Sequence, residues 1–332
     1  MVAKLNRTVL ITGGAGYIGS HTCKQLAAHG YSPVVYDSLS NGHREAVQWG
    51  PLEVGDLGDE NRLLAVMQQY QPQAVIHFAA LIEAGESVIH PGKFFRNNIV
   101  NSLVLLEVMK ACNVNRLIFS STASVYGNPL KKYIDESHPL NPINPYGISK
   151  RTVEEMIDAF GKAHGFRYVC LRYFNASGAD PDGQIGEDHV PETHLIPSIF
   201  RAITGKMNHF TLFGNDYDTP DGTCVRDYVH VNDLALAHIL SLDSLFNEKN
   251  TSSVYNVGNG QGFSVQEVLD TVERVIGRTI SVKMGQRRAG DPGYLVADAS
   301  RIIRELAWKP QFTQLDEIVR TAWLWEQKKW SH

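Results

Sequence analysis

Tyr146 and Lys150 lie four residues apart, just after Pro145, in a segment whose apolar spacing predicts a helix over 148–163. Side chains four residues apart project from the same face of a helix. A phenol with a pKa of about 10 acts as a general base at neutral pH only where a nearby positive charge favours the phenolate. The Lys150 ammonium would supply such a charge, so the pair predicts proton-transfer catalysis. The alternative interpretation is a surface Tyr–Lys pair on an amphipathic helix.

A second set of candidate groups is the run of hydroxyls Ser120, Ser121 and Thr122, at the end of a strand predicted over 116–120. At the carboxyl end of a buried strand, a hydroxyl can share a proton with a general base and with a bound substrate. Ser and Thr also satisfy backbone groups in turns, and at this point both interpretations remain open.

A glycine-rich turn near the N-terminus predicts a phosphate-binding site. β-Branched and aliphatic residues at 8–12 are typical of a strand buried on both faces. They precede Gly13, Gly14, Gly16 and Gly19, and apolar residues at helical spacing follow. Glycines let the backbone approach a pyrophosphate, and the N–H groups and dipole of a helix N-terminus favour its negative charge. The spacing Gly14-x-Gly16-x-x-Gly19 matches the dinucleotide-binding fingerprint.

An acidic residue stands where that fingerprint requires one. The second predicted strand, over 32–36, ends at Asp37, 18 residues after Gly19. A carboxylate there accepts hydrogen bonds from both adenosine-ribose hydroxyls and repels a 2′-phosphate, so it favours NAD over NADP. A simpler role as a loop cap is the alternative. An oxidised nicotinamide would add a second positive charge that favours the phenolate of Tyr146.

The order of the predicted elements indicates how these groups are positioned. Strands and helices alternate through the first half of the chain, which predicts an α/β fold with a doubly wound, parallel Rossmann-type sheet. Ligands of such sheets bind beyond the carboxyl ends of the strands, where most of the candidate residues fall. Further predicted elements are strands over 52–54, 74–78 and 168–173 and helices over 59–70 and 93–112, the latter interrupted by Asn97 and Asn98.

The composition of the chain changes from about residue 176 onward. A loop rich in Gly, Pro and Asp over 176–194 is followed by predicted helices over 195–205, 232–246 and 265–276, a strand over 253–257 and an amphipathic tail over 315–330. We therefore predict an NAD-binding Rossmann domain over 1–175 and a smaller C-terminal α/β substrate lobe over 176–332, with elements able to interleave with the first.

Bulk composition argues against several classes of protein. The net charge of −4 gives no electrostatic basis for binding nucleic acid or an anionic membrane. Four widely separated cysteines show neither CxxC nor Cys/His metal-ligand spacing. We therefore predict reduced thiols, no metal site and a cytoplasmic location. We expect neither a signal peptide nor a membrane-spanning segment.

Beyond these motifs, the chain resembles the extended short-chain dehydrogenases/reductases, and within them the UDP-glucose 4-epimerase family. The resemblance runs nearly end to end. The segments that carry it are Thr-Gly-Gly-Ala-Gly-Tyr-Ile-Gly-Ser-His at 12–21, His-Phe-Ala-Ala at 77–80, Gly-Glu-Ser-Val at 85–88, Asn-Pro-Tyr-Gly at 144–147 with Ser149 and Lys150, Leu-Arg-Tyr-Phe-Asn at 171–175, Phe-Gly-Asn-Asp-Tyr at 213–217, Asp-Gly-Thr at 221–223, Val-Arg-Asp-Tyr at 225–228 and Arg-Arg-Ala-Gly-Asp at 287–291.

The resemblance implies a role for each matching residue. Residues implied to bind NAD are Gly13, Gly16, Tyr17, Ile18, Gly19, Asp37, Ser38, Asn41, Asp56, Leu57, Phe78, Ala79, Ala80, Asn97, Thr122, Tyr146, Lys150 and Phe174. Residues implied to bind the UDP-sugar are Thr122, Tyr146, Asn175, His194, Leu195, Phe213, Arg226, Arg288 and Asp291. The residues implied to catalyse the reaction are Tyr146, Lys150 and Thr122.

The two implied arginines also make physical sense. The guanidinium forks of Arg226 and Arg288 suit a diphosphate. The alternative is that each arginine makes a salt bridge to a neighbour such as Asp227 or Asp291.

The implied reaction is the interconversion of UDP-galactose and UDP-glucose through a 4-keto intermediate, with transient hydride transfer to bound NAD. Dehydratases of this fold carry an Asp-Glu pair where this chain has Ala123 and Ser124, so elimination is not expected. Two alternatives remain, a 4-epimerase acting on a UDP-pentose or UDP-N-acetylhexosamine and a non-catalytic NAD/nucleotide-sugar sensor. The resemblance also implies a homodimer through the helices over 93–112 and 148–163.

Four positions depart from the pattern of the family. Thr122 replaces the usual serine and keeps the hydroxyl, and His194 replaces an asparagine expected near the uracil. Ile82 stands in place of a lysine that helps hold the cofactor pyrophosphate, so NAD is expected to be held less tightly. Leu295 lies where side-chain size is thought to decide whether an N-acetyl group fits, and leucine leaves that open.

Overall fold

The computed structural model describes residues 7–247, 252–287 and 291–329. Among these residues no helix combines the length and the apolar character needed to cross a bilayer. The strands are β1 Arg7–Thr12, β2 Tyr31–Asp37, β3 Leu52–Val54, β4 Ala74–His77, β5 Arg116–Thr122, β6 Tyr133–Ile134, β7 Arg167–Tyr173, β8 Asn175–Ser177, β9 Phe210–Phe213, β10 Val225–His230, β11 Ser252–Val257, β12 Gly262–Ser264, β13 Val282–Gly285 and β14 Tyr294–Ala297. The α-helices are α1 Tyr17–Ala28, α2 Glu60–Tyr70, α3 Ala84–Ile89, α4 Pro91–Phe94, α5 Asn101–Ala111, α6 Pro145–His164, α7 Leu195–Ile203, α8 Val231–Phe246, α9 Val265–Ile276, α10 Ser300–Leu306 and α11 Leu315–Lys329.

The larger sheet has seven strands in the order β11-β7-β5-β4-β1-β2-β3. All pairings from β7 to β3 are parallel. Because β1 lies in the interior of the sheet and the chain runs outward from it on both sides, the predicted doubly wound parallel sheet is confirmed.

The larger sheet is buried on both faces, as its aliphatic strands predict. Val9, Leu10 and Ile11 of β1 are all fully buried. Leu10 belongs to a cluster with Leu63 of α2 and Ile157 of α6. Since successive side chains of a strand point to opposite faces, Val9 and Ile11 project away from that cluster.

The chain divides into two compact units, each made of more than one segment. The first unit comprises 1–127, 139–173 and 235–255, and the second comprises 128–138, 174–234 and 256–332. Residues 235–255 follow the predicted boundary at residue 175 but belong to the first unit. The reason is that this segment leads into β11, which takes the edge position beside β7 in the larger sheet.

The second unit has its own sheet and core. Strands β12, β10, β14 and β6 lie in that order, and β8 also pairs with β10. Its core joins Ile199 and Phe200 of α7, Val268 and Val272 of α9, and Ile318 of α11. Helices α7, α9 and α11 therefore share one apolar cluster, as their amphipathic sequences predict.

The predicted helix over 93–112 is interrupted, as the Asn-Asn pair suggested. A π-helical segment, Phe95–Val100, lies between α4 and α5. Asn98 in this segment is buried, and its side chain bonds to the backbone N–H and C=O of Leu81 and to the Ser149 hydroxyl. The wider turn thus accommodates a polar side chain that ties the segment after β4 to α6.

Candidate active site

The glycine turn between β1 and α1 has no space for side chains. Gly13 has a φ of +74°, and a Cβ added to it would lie 2.5 Å from the backbone nitrogen of Ala79. A Cβ on Gly19 would lie 2.4 Å from the carbonyl oxygen of Gly13. Only glycine allows backbone to pack this closely against backbone, and α1 begins directly after the turn, at Tyr17. A backbone cradle at a helix N-terminus fits the pyrophosphate of a dinucleotide.

Asp37 ends β2 beside this turn. One of its carboxylate oxygens accepts a hydrogen bond from the Ala15 N–H at 2.9 Å, and the other from the Leu39 N–H at 2.8 Å. These bonds fix the carboxylate next to the glycine turn, and each oxygen keeps a lone pair for a ribose hydroxyl. Ser38 and Asn41 follow in the exposed loop.

Other predicted cofactor residues lie at the same edge of the larger sheet. Asp56 and Leu57 follow β3, and the Tyr36 hydroxyl donates to the Asp56 carbonyl at 2.8 Å. Phe78 follows β4, and the N–H of Phe78 donates to the Thr12 carbonyl at 2.9 Å. Carboxyl ends of neighbouring parallel strands meet at one edge, so the fold brings these positions together.

The remaining residues of the predicted cofactor set are spread over three places. Ala79 and Ala80 continue from Phe78 after β4, and Asn97 lies in the π-helical segment, where its amide donates to the side-chain oxygen of Asn98 at 2.9 Å. Phe174 belongs to the second unit, where its N–H donates to the Val257 carbonyl.

The start of α6 positions Tyr146. The helix begins at Pro145, three residues before the predicted start, because the Asn144 side chain caps it by accepting from the Gly147 N–H at 2.8 Å. The Tyr146 N–H donates to the buried hydroxyl of Ser87 at 3.2 Å. The backbone around the candidate base is therefore held at two points, by the Asn144 cap on Gly147 and by Ser87 of α3 on Tyr146.

The fold brings the hydroxyl groups of Tyr146 and Thr122 together. The Tyr146 phenol is hydrogen-bonded to Thr122, which ends β5 and is itself buried. Burial raises the pKa of Tyr146 to about 12, the bond from Thr122 opposes that rise, and the charge of Glu83 adds to it. In the protein alone this shift is opposite to the lowering that we predicted from Lys150.

The environment of Lys150 explains why this residue does not lower the pKa of Tyr146. Its Nζ donates to the Ser120 carbonyl at 2.8 Å and lies 4.9 Å from the centre of the Phe119 ring. Burial lowers the pKa of Lys150 to about 7, against the opposing charge of Glu154. The buried amine thus carries less positive charge at neutral pH than an exposed lysine would.

Replacing Lys150 with methionine is expected to change how stability depends on pH. Burial lowers the pKa of Lys150 from 10.5 to about 7, so between these values the unfolded chain binds more protons than the folded chain. The free energy of unfolding of the wild type should therefore rise with pH relative to Lys150→Met, by up to about 1.4 kcal/mol per pH unit. Urea unfolding across this range, without added nucleotide, measures the difference.

The matched control for this experiment is Lys162→Met, because Lys162 lies on the same helix with its side chain 78% exposed. This variant removes an exposed lysine charge instead of a buried one, so the comparison isolates the effect of burial. An effect of Lys150→Met that does not change with pH would contradict the burial of the Lys150 charge.

Sequence reasoning missed a buried ion pair behind Thr122. Arg172 of β7 and Glu154 of α6 form a two-pronged contact, with N···O distances of 2.6 and 3.0 Å. Glu154 also accepts from the Ser121 hydroxyl, and Arg172 donates to the Tyr126 hydroxyl at 3.1 Å. Glu154 follows Lys150 by one turn of α6. This spacing places both side chains on one face of the helix, and it is the feature of the sequence that could have pointed to Glu154.

A second missed group surrounds Tyr173. Its hydroxyl is hydrogen-bonded to the ring of His238 on α8, and the His238 ring lies 4.8 Å from that of Phe78. Tyr173 is also hydrogen-bonded to Ser120 and lies near Tyr146. His238 belongs to none of the motifs, so only the fold shows that it borders this site.

Several of the predicted substrate residues lie on β8 and β10 of the second unit. The Asn175 amide donates to the Asp227 carbonyl at 2.9 Å. Arg226 donates to the Pro292 carbonyl at 2.8 Å, and its guanidinium lies 3.5 Å from the Asp291 carboxylate. Arg226 thus makes the alternative contact with an aspartate, and that aspartate is Asp291. The Asp227 carboxylate instead accepts hydrogen bonds from backbone N–H groups.

The other predicted substrate residues fall in different parts of the second unit. His194 is the N-cap of α7 and Leu195 its first residue, while Phe213 ends β9. The negative charge of Glu187 holds the pKa of His194 well above its usual value, against the effect of burial. Arg288 lies outside the described residues.

The chain is similar to a known protein family and to several proteins of solved structure. A sequence model of the NAD dependent epimerase/dehydratase family matches residues 9–258. A UDP-glucose 4-epimerase of Rhizobium meliloti (strain 1021) is 49% identical and covers 98% of both chains. The crystal structure of UDP-glucose 4-epimerase from Brucella ovis in complex with NAD is 48% identical over 96% of this chain and 98% of that one, with a TM-score of 0.93. The Bifidobacterium longum UDP-glucose 4-epimerase, solved with NAD+ and UDP, is 38% identical over 97% and 98% of the chains, with a TM-score of 0.92.

Proposed function

This chain belongs to the NAD dependent epimerase/dehydratase family, and we propose that it is a UDP-glucose 4-epimerase that interconverts UDP-galactose and UDP-glucose. The observation that carries the proposal is the hydrogen-bonded pair of Tyr146 and Thr122, with Lys150 one turn further along α6. Curated relatives of nearly the same length bear this name, at identities up to 49%.

NAD is the cofactor, and the first unit supplies the residues that fit it. The glycine turn would hold the pyrophosphate, because it leads directly into the N-terminus of α1, whose N–H groups and dipole favour negative charge. Asp37 would accept from the adenosine ribose. When bound there, NAD would supply a reversible hydride acceptor for C4 of the sugar.

Side chains of the protein transfer the proton that leaves the sugar together with the hydride. Tyr146 removes the proton of the sugar 4-hydroxyl as the hydride leaves and returns it in the second half of the reaction. Thr122 holds or relays that proton through its hydrogen bond to Tyr146. Lys150 holds the nicotinamide ribose, and in its charged form favours the phenolate of Tyr146.

The second unit supplies the residues proposed to hold the UDP part. Asn175, His194, Leu195, Phe213, Arg226, Arg288 and Asp291 make up this set. Arg226 is half-buried and anchored to the Pro292 carbonyl, so its guanidinium is preorganised for a phosphate. Binding energy placed on the nucleotide leaves the sugar free to turn over between the two hydride transfers.

Elimination, the other chemistry of the family, lacks its acid and base in this chain. Ala123 and Ser124 follow Thr122 in the 3-10 turn Ala123–Val125, and neither carries a carboxyl group. An epimerase needs no group there, since it moves only the proton that Tyr146 handles.

The proposed function is tested by incubating purified protein with UDP-galactose and with UDP-glucose, without added NAD. We expect each sugar to form the other, and released nucleotide from denatured protein to be NAD. A panel including UDP-N-acetylhexosamines and UDP-pentoses ranks the substrates by kcat/KM. Faster turnover of a UDP-N-acetylhexosamine or a UDP-pentose would assign the protein as a 4-epimerase of that sugar. No turnover of any sugar with NAD present would assign it as a non-catalytic sensor.

We also propose that the chain is a homodimer through α5 and α6. Val100, Leu103 and Ile148 lie on the helical segments of this region and are 52%, 38% and 39% exposed. Light scattering should give a molar mass of twice the 36.9 kDa of the chain. Leu103→Lys should shift it towards the monomer, whereas Val282→Lys, at an exposed position of the second unit, should not. A wild-type monomer would contradict the proposal.

A cytoplasmic location completes the proposal. All four cysteines are free thiols, and three of them are buried. Unpaired cysteines suit a reducing compartment, where disulfides rarely persist.

A further inference from the structure

Four potential metal ligands lie on one short segment of the second unit. They are Glu187, His189, Glu192 and His194, and one donor atom from each lies within 4.8 Å of the donor atoms of the others. The segment precedes α7, and His194 is the N-cap of that helix. The proposed reaction assigns no role to Glu187, His189 or Glu192.

The distances within this cluster suit a common central ion. His194 Nδ1 lies 2.8 Å from a Glu187 oxygen and 3.0 Å from a Glu192 oxygen, and His189 Nδ1 lies 3.2 Å from the same Glu187 oxygen. Zinc bonds to nitrogen and oxygen of about 2.1 Å place tetrahedral ligand atoms about 3.4 Å apart. Small side-chain movements therefore convert these contacts into a coordination shell.

Both carboxylates of the cluster are buried and held in place. The Glu187 side chain is 8% exposed and that of Glu192 5%. The Trp325 indole N–H donates to the Glu187 carbonyl at 2.9 Å, and the Thr193 N–H donates to the Glu192 carboxylate at 2.9 Å. In the metal-free protein the His194 ring pairs with both carboxylates. A divalent ion bound between them would take over that role and displace the proton of the ring, because metal ligands bind in their deprotonated forms.

A cavity of about 250 Å³ borders the cluster and offers a route for an ion. Its lining includes Glu187, His189 and Glu192, and the other lining residues are Asp188, Val190, Pro197, Arg201, Lys206, Glu326 and Lys329. Three of these carry positive charge, but Lys329 pairs with Asp188 and Glu326 adds a further carboxylate. The acidic and basic lining groups therefore largely offset each other around the entrance.

We propose that Glu187, His189, Glu192 and His194 form a binding site for a divalent first-row transition-metal ion, for which Zn²⁺ fits best. Two imidazoles with two carboxylates are donors that zinc accepts, whereas Mg²⁺ and Ca²⁺ prefer oxygen ligands alone. Two carboxylates also neutralise the ion. His194 meets both carboxylates through Nδ1, so its Nε2 remains available for another partner, and the site is compatible with the proposed binding of UDP.

The ion would act on the loop rather than on the reaction. It would join the segment 187–194 at four points, and through His194 it would fix the start of α7, where Leu195 follows. This inference goes beyond the proposed function, because it concerns the order of a loop and requires no turnover.

The test measures metal content in the full-length protein. Protein treated with a chelator and dialysed is equilibrated with Zn²⁺, and bound metal is determined by mass spectrometry. Co²⁺ then serves as a spectroscopic probe, because tetrahedral coordination gives strong visible absorption. We expect one zinc ion per chain and a tetrahedral Co²⁺ spectrum that zinc abolishes.

His189→Gln is the decisive variant, since His189 has no place in the proposed substrate site. Loss of this ligand should weaken zinc binding at least about tenfold. His29→Gln, at an exposed histidine at the end of α1 in the first unit, is the matched control and should bind zinc as the wild type does. Glu192→Gln provides a second ligand variant should His189→Gln fail to fold, as judged by circular dichroism.

Two results would overturn the proposal. One is wild-type protein that retains no zinc after dialysis. The other is a folded ligand variant that binds zinc as tightly as His29→Gln, which would mean adventitious binding elsewhere. Because metal content is the readout, either result leaves the proposed epimerase activity untouched, and a failed epimerase assay leaves the metal site untouched.

Discussion

Tyr146→Phe is expected to lower kcat by about 10²–10⁴-fold, the usual contribution of a general acid–base. The phenol is the group proposed to take the sugar 4-hydroxyl proton, and phenylalanine keeps the ring while removing the oxygen. Its partner Thr122 loses one hydrogen bond but keeps the N–H of Ser124 as a donor. NAD should remain bound, because the glycine turn and Asp37 are unchanged.

Steady-state turnover of UDP-galactose measures the effect, and nucleotide released on denaturation reports NAD content. Tyr70→Phe is the matched control, since the Tyr70 hydroxyl donates to Glu53 at 2.7 Å within the same unit and neither residue belongs to the predicted site. It should keep wild-type kcat and lose about 1 kcal/mol of stability. If Tyr146→Phe retained a rate close to that of Tyr70→Phe, Tyr146 would not be the base.

Arg172→Met is expected to destabilise the fold by about 3–5 kcal/mol. Arg172 and Glu154 are only 5% and 8% exposed, so removal of the guanidinium leaves a buried carboxylate without its counter-charge. The Ser121 hydroxyl is the partner that Glu154 would keep. Urea unfolding, analysed for the free energy of unfolding in water, measures the loss.

Two further variants interpret that loss. Arg151→Met removes the exposed pair of Arg151 with Glu155 on the same helix and one hydrogen bond to the Leu140 carbonyl, and should cost no more than about 2 kcal/mol. The double variant Arg172→Met/Glu154→Gln removes the uncompensated charge and should recover part of the stability. A cost of Arg172→Met equal to that of Arg151→Met would show that the buried pair contributes nothing.

The arrangement of these groups links stability to catalysis. Glu154 and Lys150 occupy successive turns of α6, and their partners Ser121 and Ser120 are neighbours at the end of β5. Hydrogen bonds from α6 to β5 thus hold Tyr146 opposite Thr122. We infer that stability lost at Arg172 also loosens the alignment of the hydroxyl pair.

The local elements of this chain are determined by its sequence. Strand β3 has the predicted bounds, and α1 follows the glycine turn as expected, because strand burial, turn glycines and helical apolar spacing are short-range properties. The cofactor fingerprint belongs to the same class. Gly13, Gly19 and Asp37 are recognisable because the constraint on each comes from the strand or turn that contains it.

Tertiary structure decided what joins distant residues. The edge position of β11, the contact of His238 with Tyr173 and the ion pair of Arg172 with Glu154 each depend on how elements pack. The pKa of Tyr146 belongs here as well. Sequence spacing predicted an influence of Lys150, whereas burial dominates, and burial is a property of the whole fold.

The segment before α7 shows both sides of this division. Its spacing, Glu187-x-His189-x-x-Glu192-x-His194, stands in the sequence, but the prediction of no metal site rested on the spacing of the cysteines alone. Only the folded loop shows that the four side chains converge. Sequence determines which groups a chain carries and how each short segment folds, whereas the distances between groups on irregular backbone follow from the packing that confines it.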